Sequence, residues 1–312
     1  MNRILNYLIK NIFKIVIAYF VFQFLLVIFW QQPFQSDSHY YYKLAQDCLK
    51  YHSIYPAKAH LYEDYIIAPL YVNLLVAALS IYNAQITIGF LNILLNALQM
   101  FLLFRLSERF TDRKTACVCL LLYMCYLNIL GLVLINLTEM FFEVLVLSSL
   151  YFFYKDSNKS LFLAGVFAAA SIAVRPVGWG LVAAFLITLA VRFIKRNYVT
   201  KQLIALILGL SLFIIALGTV TQISFGKFIY TSSTGPLNLL IGANDNTTGA
   251  FNARVLEKGN VGYIQNSDSL TYIEKENFYK QKTKDWIISH PAKWLSLIPA
   301  KIFFMFAWDD FT

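Results

Sequence analysis

Three acidic residues and one arginine are out of keeping with their surroundings: Asp37, Glu139, Glu143 and Arg175. Asp37 lies just past the apolar run "IVIAYFVFQFLLVIFW", in the tyrosine-rich segment "SDSHYYYKLAQDCLK". Tyr41, Leu44 and Cys48 follow it at helical spacing, so Asp37 and Tyr41 share one helix face. Two readings stand for Asp37. Ser36, Asp37 and Ser38 are all good N-cap types, and an exposed carboxylate is also a candidate proton acceptor. Glu139 opens the span "EMFFEVLVLSSLYFFY", where an acid suits the helix dipole and Asn136 or Thr138 can cap. Glu143 is one turn deeper on the same face; an acid at that depth is a functional candidate by default or a hydrogen-bonded packing residue. Arg175, in "AAASIAVRPVGWG", ends a helix before a proline. It either snorkels to the interface or receives an anion, since its planar fork fits phosphate oxygens. Two carboxylates and an arginine at one membrane surface could handle a lipid-linked phosphate and a proton transfer.

What positions these residues is a set of apolar spans. Of the 312 residues, 59% are hydrophobic and only 14% charged, against about 25% charged in soluble domains. The residue-by-residue alternation of a membrane β-barrel is absent. The expected class is therefore an all-α polytopic membrane protein of about eight spans, near 13–32, 84–104, 115–135, 139–154, 160–174, 177–191, 202–223 and 292–308. The first span lacks a small-residue cleavage site and reads as a retained helix. The stretch 66–82 is of borderline length, interrupted by Pro69 and Asn73.

Charge resolves that stretch. The net charge of +9 gathers in short connections, which indicates membrane orientation and not nucleic-acid binding. The connections 105–114, 155–159 and 192–201 carry four, two and four basic residues. All three are cytoplasmic if 66–82 lies in the outer interface, and all three are outside if it crosses. The positive-inside rule selects the interfacial arrangement. The outer face then holds loop 33–83, the turn at 136–139, the Arg175–Pro176 turn and a large loop, 224–291. The expected organisation is a membrane core over 1–223, the extracytoplasmic loop 224–291 with a helix at "YIEKENFYKQKTKDWIISHP", and a last membrane helix with the C-terminus, 292–312.

Cys117 and Cys119 point to different sides of a helix, and no disulfide or metal framework is readable from the four cysteines. No cofactor is certain. His39, His52 and His60 share the first outer loop with Asp37. They are candidates for a divalent metal ion, but they form no tight motif, and surface histidines are the simpler reading.

In order and spacing these motifs resemble the GT-C superfamily of membrane glycosyltransferases, over about residues 12–305. The nearest likeness is to family 39, which includes the protein O-mannosyltransferases, and to the related bacterial lipid A aminoarabinose transferases. Asp37, Tyr41, Leu44 and Ala45 match the family's acid-x-x-x-Tyr-x-x-Leu-Ala pattern, and "APLY" (68–71) resembles the interfacial helix that follows. "TEMFFEVLVLSSLYFFY", "GVFAAASIAVRPVGWGL", "NLLIGANDNTTGAF" and "ISHPAKWLSLIPAKIFF" resemble later motifs. The resemblance implies transfer of a sugar, hexosyl or pentosyl, from a polyprenyl-phosphate donor to a lipid, protein or glycan acceptor, with inversion, at the outer face of the bacterial cytoplasmic membrane. It implies that Asp37 is the general base and that Glu139 is a second acid positioning the acceptor or a metal. Arg175 would stabilise the leaving phosphate, and Tyr41 and Glu143 are further candidates for substrate binding. Ser38 stands where the family often has another acid, and longer members continue with further spans. Two rivals remain: a catalytically inactive or accessory relative, and a transporter of lipid-linked sugars. A transporter would favour paired inverted repeats, and none is visible.

The topology has a direct check. Cysteines introduced at 105–114 and 192–201 are expected to resist an impermeant thiol reagent in intact cells, and cysteines at 240–270 to react. Labelling at residue 110 from outside would reject the interfacial assignment of 66–82.

Overall fold

The structure is a computed structural model that describes residues 2–196 and 200–307. The tail of the expected last span and part of the connection 192–201 lie outside the described residues. Among the described residues every regular element is a helix. This follows from the apolar runs, because backbone in lipid must satisfy its own hydrogen bonds.

The chain divides into two compact units. The first comprises Met1–Ala57 and Ala68–Thr231. Its helices are α1 (Asn2–Lys10), α2 (Ile12–Phe29), α3 (Ser36–Lys50), α4 (Pro69–Ile81), α5 (Gln85–Phe110), α6 (Arg113–Met124), α7 (Asn128–Leu134), α8 (Glu139–Phe153), α9 (Asn158–Val174), α10 (Trp179–Arg196) and α11 (Thr200–Phe225). The second comprises Lys58–Ile67 and Ser232–Thr312. It contains α12 (Gly235–Ile241), α13 (Tyr272–Ser289) and α14 (Pro291–Ala307).

Among the described residues four stretches are long and apolar enough to cross a membrane: Ile12–Phe29, Gln85–Phe110, Pro176–Lys195 and Thr200–Phe225. The expected span 115–135 is instead the pair α6 and α7, bent by 61°, which makes a fifth crossing if counted as one. Among the described residues the helices thus show four to five crossings, and eight are not shown. The helices α8 and α9 have 15 and 17 residues, or ~22 and ~25 Å against a ~30 Å hydrocarbon core. α14 also has 17 residues and contains Pro299. Hydropathy counted caps and turns into runs that the chain uses as connections. The 13-residue α4 is ~20 Å long, also short of a crossing. Phe22, Phe24 and Leu25 of α2 and Ile207, Leu208, Leu212 and Ile215 of α11 are exposed, as lipid-facing side chains are.

At the centre of the first unit is α9, whose residues from Ala168 to Val174 are all buried. It packs on α11 at backbone contact. A Cβ on Gly165 would strike the Leu206 carbonyl oxygen, and one on Gly209 would strike that of Phe162. Small residues permit such an approach, and close packing drives helix association where lipid weakens the hydrophobic effect. Around this seam Phe153, Leu161, Ile172, Val182, Phe185 and Leu189 form a core, with Phe153 and Phe185 stacked at 4.0 Å.

The basic connections meet at one end of this bundle. Asp156 accepts from Arg192 Nη1 at 2.7 Å and from Gln202 Nε2 at 3.2 Å. Tyr154 packs edge-on against Phe110 at 4.7 Å, which brings the connection after α5 to the same end. The opposite ends of α8 and α9 carry Glu139 and Arg175.

In the second unit α13 starts with a capping box between Thr271 and Glu274. Lys275, with a side chain only 2% exposed, donates to Asp64 Oδ1 and to the Tyr62 carbonyl, both at 2.9 Å. That clasp places 58–67 in this unit instead of with the rest of the first loop. Leu237, Leu240, Ile241, Val255 and Tyr279 form its core.

Candidate functional site

Arg175 is aimed by a change of backbone. α9 ends at Val174, and Arg175 adopts an extended conformation while its N–H still donates to the Ser171 carbonyl. Pro176 then starts a 3-10 turn, closed by Gly178 N–H on the Arg175 carbonyl at 3.0 Å. Gly178 is pressed on the preceding turn: a Cβ there would lie 2.6 Å from Ser171 Oγ. The side chain thus leaves the helix line and meets the first turn of α8. Arg175 Nη1 donates to Glu139 Oε1 at 2.5 Å and lies 3.4 Å from Thr138 Oγ1. These contacts use one guanidinium nitrogen. The side chain is 41% exposed, so its other N–H donors remain for an anion.

The start of α8 is fastened to two other elements through Asn136, which is fully buried. Asn136 Oδ1 accepts from the Tyr71 hydroxyl of α4 at 2.7 Å, and Nδ2 donates to the Ser38 carbonyl of α3 at 2.9 Å. Neither Asn136 nor Thr138 caps α8. Thr138 holds the N-cap position without a side-chain cap bond.

Asp37 also does not act as a cap. α3 begins at Ser36, the N-cap position falls on Gln35, and no side chain caps it. Asp37 is exposed in the first helical turn, where the dipole favours its charge. Tyr41 lies one turn further and is buried, with its ring edge-on to Tyr71 at 5.2 Å. Burial pushes its phenol well above the usual range. The charges of Asp37 and Glu139 push the same way, and Arg175 and a hydrogen bond to Thr138 oppose them. Tyr41 therefore keeps its proton at neutral pH and acts only as a neutral hydrogen-bonding group. Asp37, Glu139 and Arg175 are thus all within electrostatic reach of Tyr41.

Two strained residues border the site. Ser36 and Ala68, at the starts of α3 and α4, have φ of +48° and +40°. A non-glycine residue held there costs roughly 1–3 kcal/mol and tends to occur at functional sites.

Glu143 belongs to a different set of contacts. Its Oε2 accepts from Gln99 Nε2 at 2.7 Å. His39 is exposed, and His60 is buried in the other unit. Among the described residues no group of three or more His, Cys, Asp or Glu is placed to hold a metal ion. The four cysteines are free thiols. Asn136 was missed by sequence reasoning except as a possible cap. Its one signal is an amide inside the apolar run "LVLINL".

No protein-family model, curated protein or solved structure matches the chain.

Removing Asn136 leaves two buried partners unpaired. Asn136→Ala is expected to destabilise the protein by about 1–3 kcal/mol for each orphaned group, read from thermal unfolding in detergent. Adding Tyr71→Phe removes one orphan, so the double variant should recover part of the loss. Strict additivity of the two changes would reject the Tyr71–Asn136–Ser38 tie.

Proposed function

We propose that the chain is a GT-C-like glycosyltransferase that moves a sugar from a polyprenyl-phosphate donor to a lipid, protein or glycan acceptor at the outer face of a bacterial cytoplasmic membrane. The observation that carries this reading is the pairing of Arg175 with Glu139 beside Tyr41 and Asp37, at the end of the bundle away from the basic connections. Arg175 has donors to spare for phosphate oxygens. Asp37 is an exposed carboxylate with no capping duty. In the proposed step Asp37 takes the proton of an acceptor hydroxyl as its oxygen attacks the anomeric carbon. The bond from that carbon to the phosphate oxygen breaks on the opposite face, which inverts the centre. The polyprenyl phosphate leaves with both electrons of the bond, against the Arg175 guanidinium. Glu139 orients Arg175, and Tyr41 lines the site as a neutral donor.

A non-catalytic relative is the second reading. It is favoured by Ser38 at the place of a second acid and by the engagement of Glu139 with Arg175. Turnover of a defined polyprenyl-phosphate sugar by the purified protein decides between the two, since that relative gives none.

Asp37→Asn keeps the size of the side chain and loses proton acceptance. It is expected to lower turnover by roughly 10²–10⁴-fold at normal membrane expression. A folded, nearly fully active variant would remove Asp37 from the chemistry.

Arg175 is tested through geometry as well as charge. Arg175→Lys keeps the charge but loses the planar fork, so donor-dependent kinetics are expected to be impaired in Lys and worse in Ala, with acceptor affinity little changed. Normal donor kinetics in Arg175→Ala would leave the acids without a phosphate partner and defeat the transferase reading.

A further inference from the structure

Helix α5 carries three buried amides, Asn92, Asn96 and Gln99, on one face at spacings of four and three residues. Gln99 is bonded at both ends, and Asn92 and Asn96 each at one. The Tyr123 hydroxyl of α6 lies 2.8 Å from both Asn96 Oδ1 and Gln99 Oε1. Gln99 Nε2 donates to Glu143 of α8, and Asn92 Nδ2 donates to the Ile135 carbonyl at 2.8 Å.

The bonding is otherwise not complete. Tyr19 Oη, Gln23 Nε2 and Oε1, Asn92 Oδ1 and Asn96 Nδ2 are buried and make no hydrogen bond of good geometry among the described residues, although Tyr19 Oη lies within reach of the Gln23 and Asn96 side chains. Gln23 and Asn96 are 0% exposed and Asn92 is 1% exposed, and the Tyr19 hydroxyl faces both Gln23 and Asn96. Native interiors rarely leave polar atoms unpaired, and an orphan calls for a water, an ion or a functional reason. Four of these atoms belong to Tyr19, Gln23 and Asn96, which lie together between the first span and α5, and the fifth belongs to Asn92, one turn from Asn96 on α5; such a group calls for a shared ligand.

We propose that Tyr19, Gln23, Asn92 and Asn96 form a buried water site inside the helix bundle. The chemistry of the unpaired atoms selects water. Two are amide donors, two are carbonyl acceptors and one is a hydroxyl that does both. A metal ion would meet the N–H groups and an anion would meet the carbonyls, whereas water serves both. About two waters, each making about three hydrogen bonds, would satisfy the set. A cavity of about 10 Å³ lies one turn away, lined by Val27, Gln31, Gln85, Ile86, Gly89 and Leu134. That is room for about one molecule. The waters bridge these two helices and join Glu143, through Gln99 and Tyr123, to the same polar line. The site is independent of the transferase reading.

The test is X-ray radiolytic hydroxyl labelling of the wild-type protein and of Gln23→Leu and Tyr19→Phe in detergent, followed by mass spectrometry and thermal unfolding. Ordered water beside a buried tyrosine should label Tyr19 and Tyr123 in the wild type, and the label should be lost in Gln23→Leu. Tyr19→Phe should lower Tm by roughly 2–6 °C. No label on either tyrosine, a label unchanged in Gln23→Leu, or a rise in Tm in either variant would each overturn the site. A wild-type Tm raised by NaCl but not by equal KCl would also overturn it, because the ligand would then be sodium.

Discussion

The contact between the Arg175 guanidinium and the Glu139 carboxylate sets the geometry of everything near it. With side chains 41% and 36% exposed, such a pair is worth on the order of 1 kcal/mol or less in water, so its importance is placement and not stability. It joins the end of α9 to the start of α8, and both must reach the same height in the bundle. The height of α9 is fixed by the close backbone approach at Gly165 and Gly209. Sliding one helix past the other would drive carbonyl groups into Cα hydrogens. The height of α8 is fixed by Asn136, which binds α3 and α4 as well. A weak ionic contact is therefore held by strong steric and hydrogen-bond constraints outside it. This is an economical way to keep an arginine oriented while its remaining donors stay open to solvent.

Much of this was legible in the sequence, for identifiable reasons. Asp37 and Tyr41 share a face because helical spacing is strict, and α3 runs Ser36–Lys50. Glu139 and Arg175 fall at one end of the bundle, as the alternation of apolar runs and basic connections requires. The number of crossings is less legible, because α8, α9 and α14, with 15, 17 and 17 residues, fall at or below the lower end of the length a crossing needs. The break between α6 and α7 was not legible. Residues 125–127 include neither proline nor glycine, the usual causes of a kink. The cap of α3 was misjudged because three good cap types stood in a row and the position fell on Gln35, whereas Thr138 does take the N-cap position of α8, without a side-chain bond. Asn136 could not be found by type or spacing, since its role depends on two partners 65 and 98 residues away.

The ion pair of Glu139 and Arg175 also changes what the acid can do. A carboxylate that already holds a guanidinium has one of its oxygens engaged. Asp37, by contrast, is exposed in the first turn of α3.

The buried Lys275 has a consequence for synthesis. Its partners, Tyr62 and Asp64, precede it by 213 and 211 residues. At ~5–20 residues per second, the segment 58–67 leaves the ribosome some 10–40 s before α13 exists to receive it. During that interval the first unit can assemble on either side of the gap, but Lys58–Ile67 has no docking surface of its own. Its carbonyls and the Asp64 carboxylate must stay hydrated until nearly the whole chain has been made. Maturation of the second unit is therefore governed by the order of translation, with one early loop waiting on a late lysine.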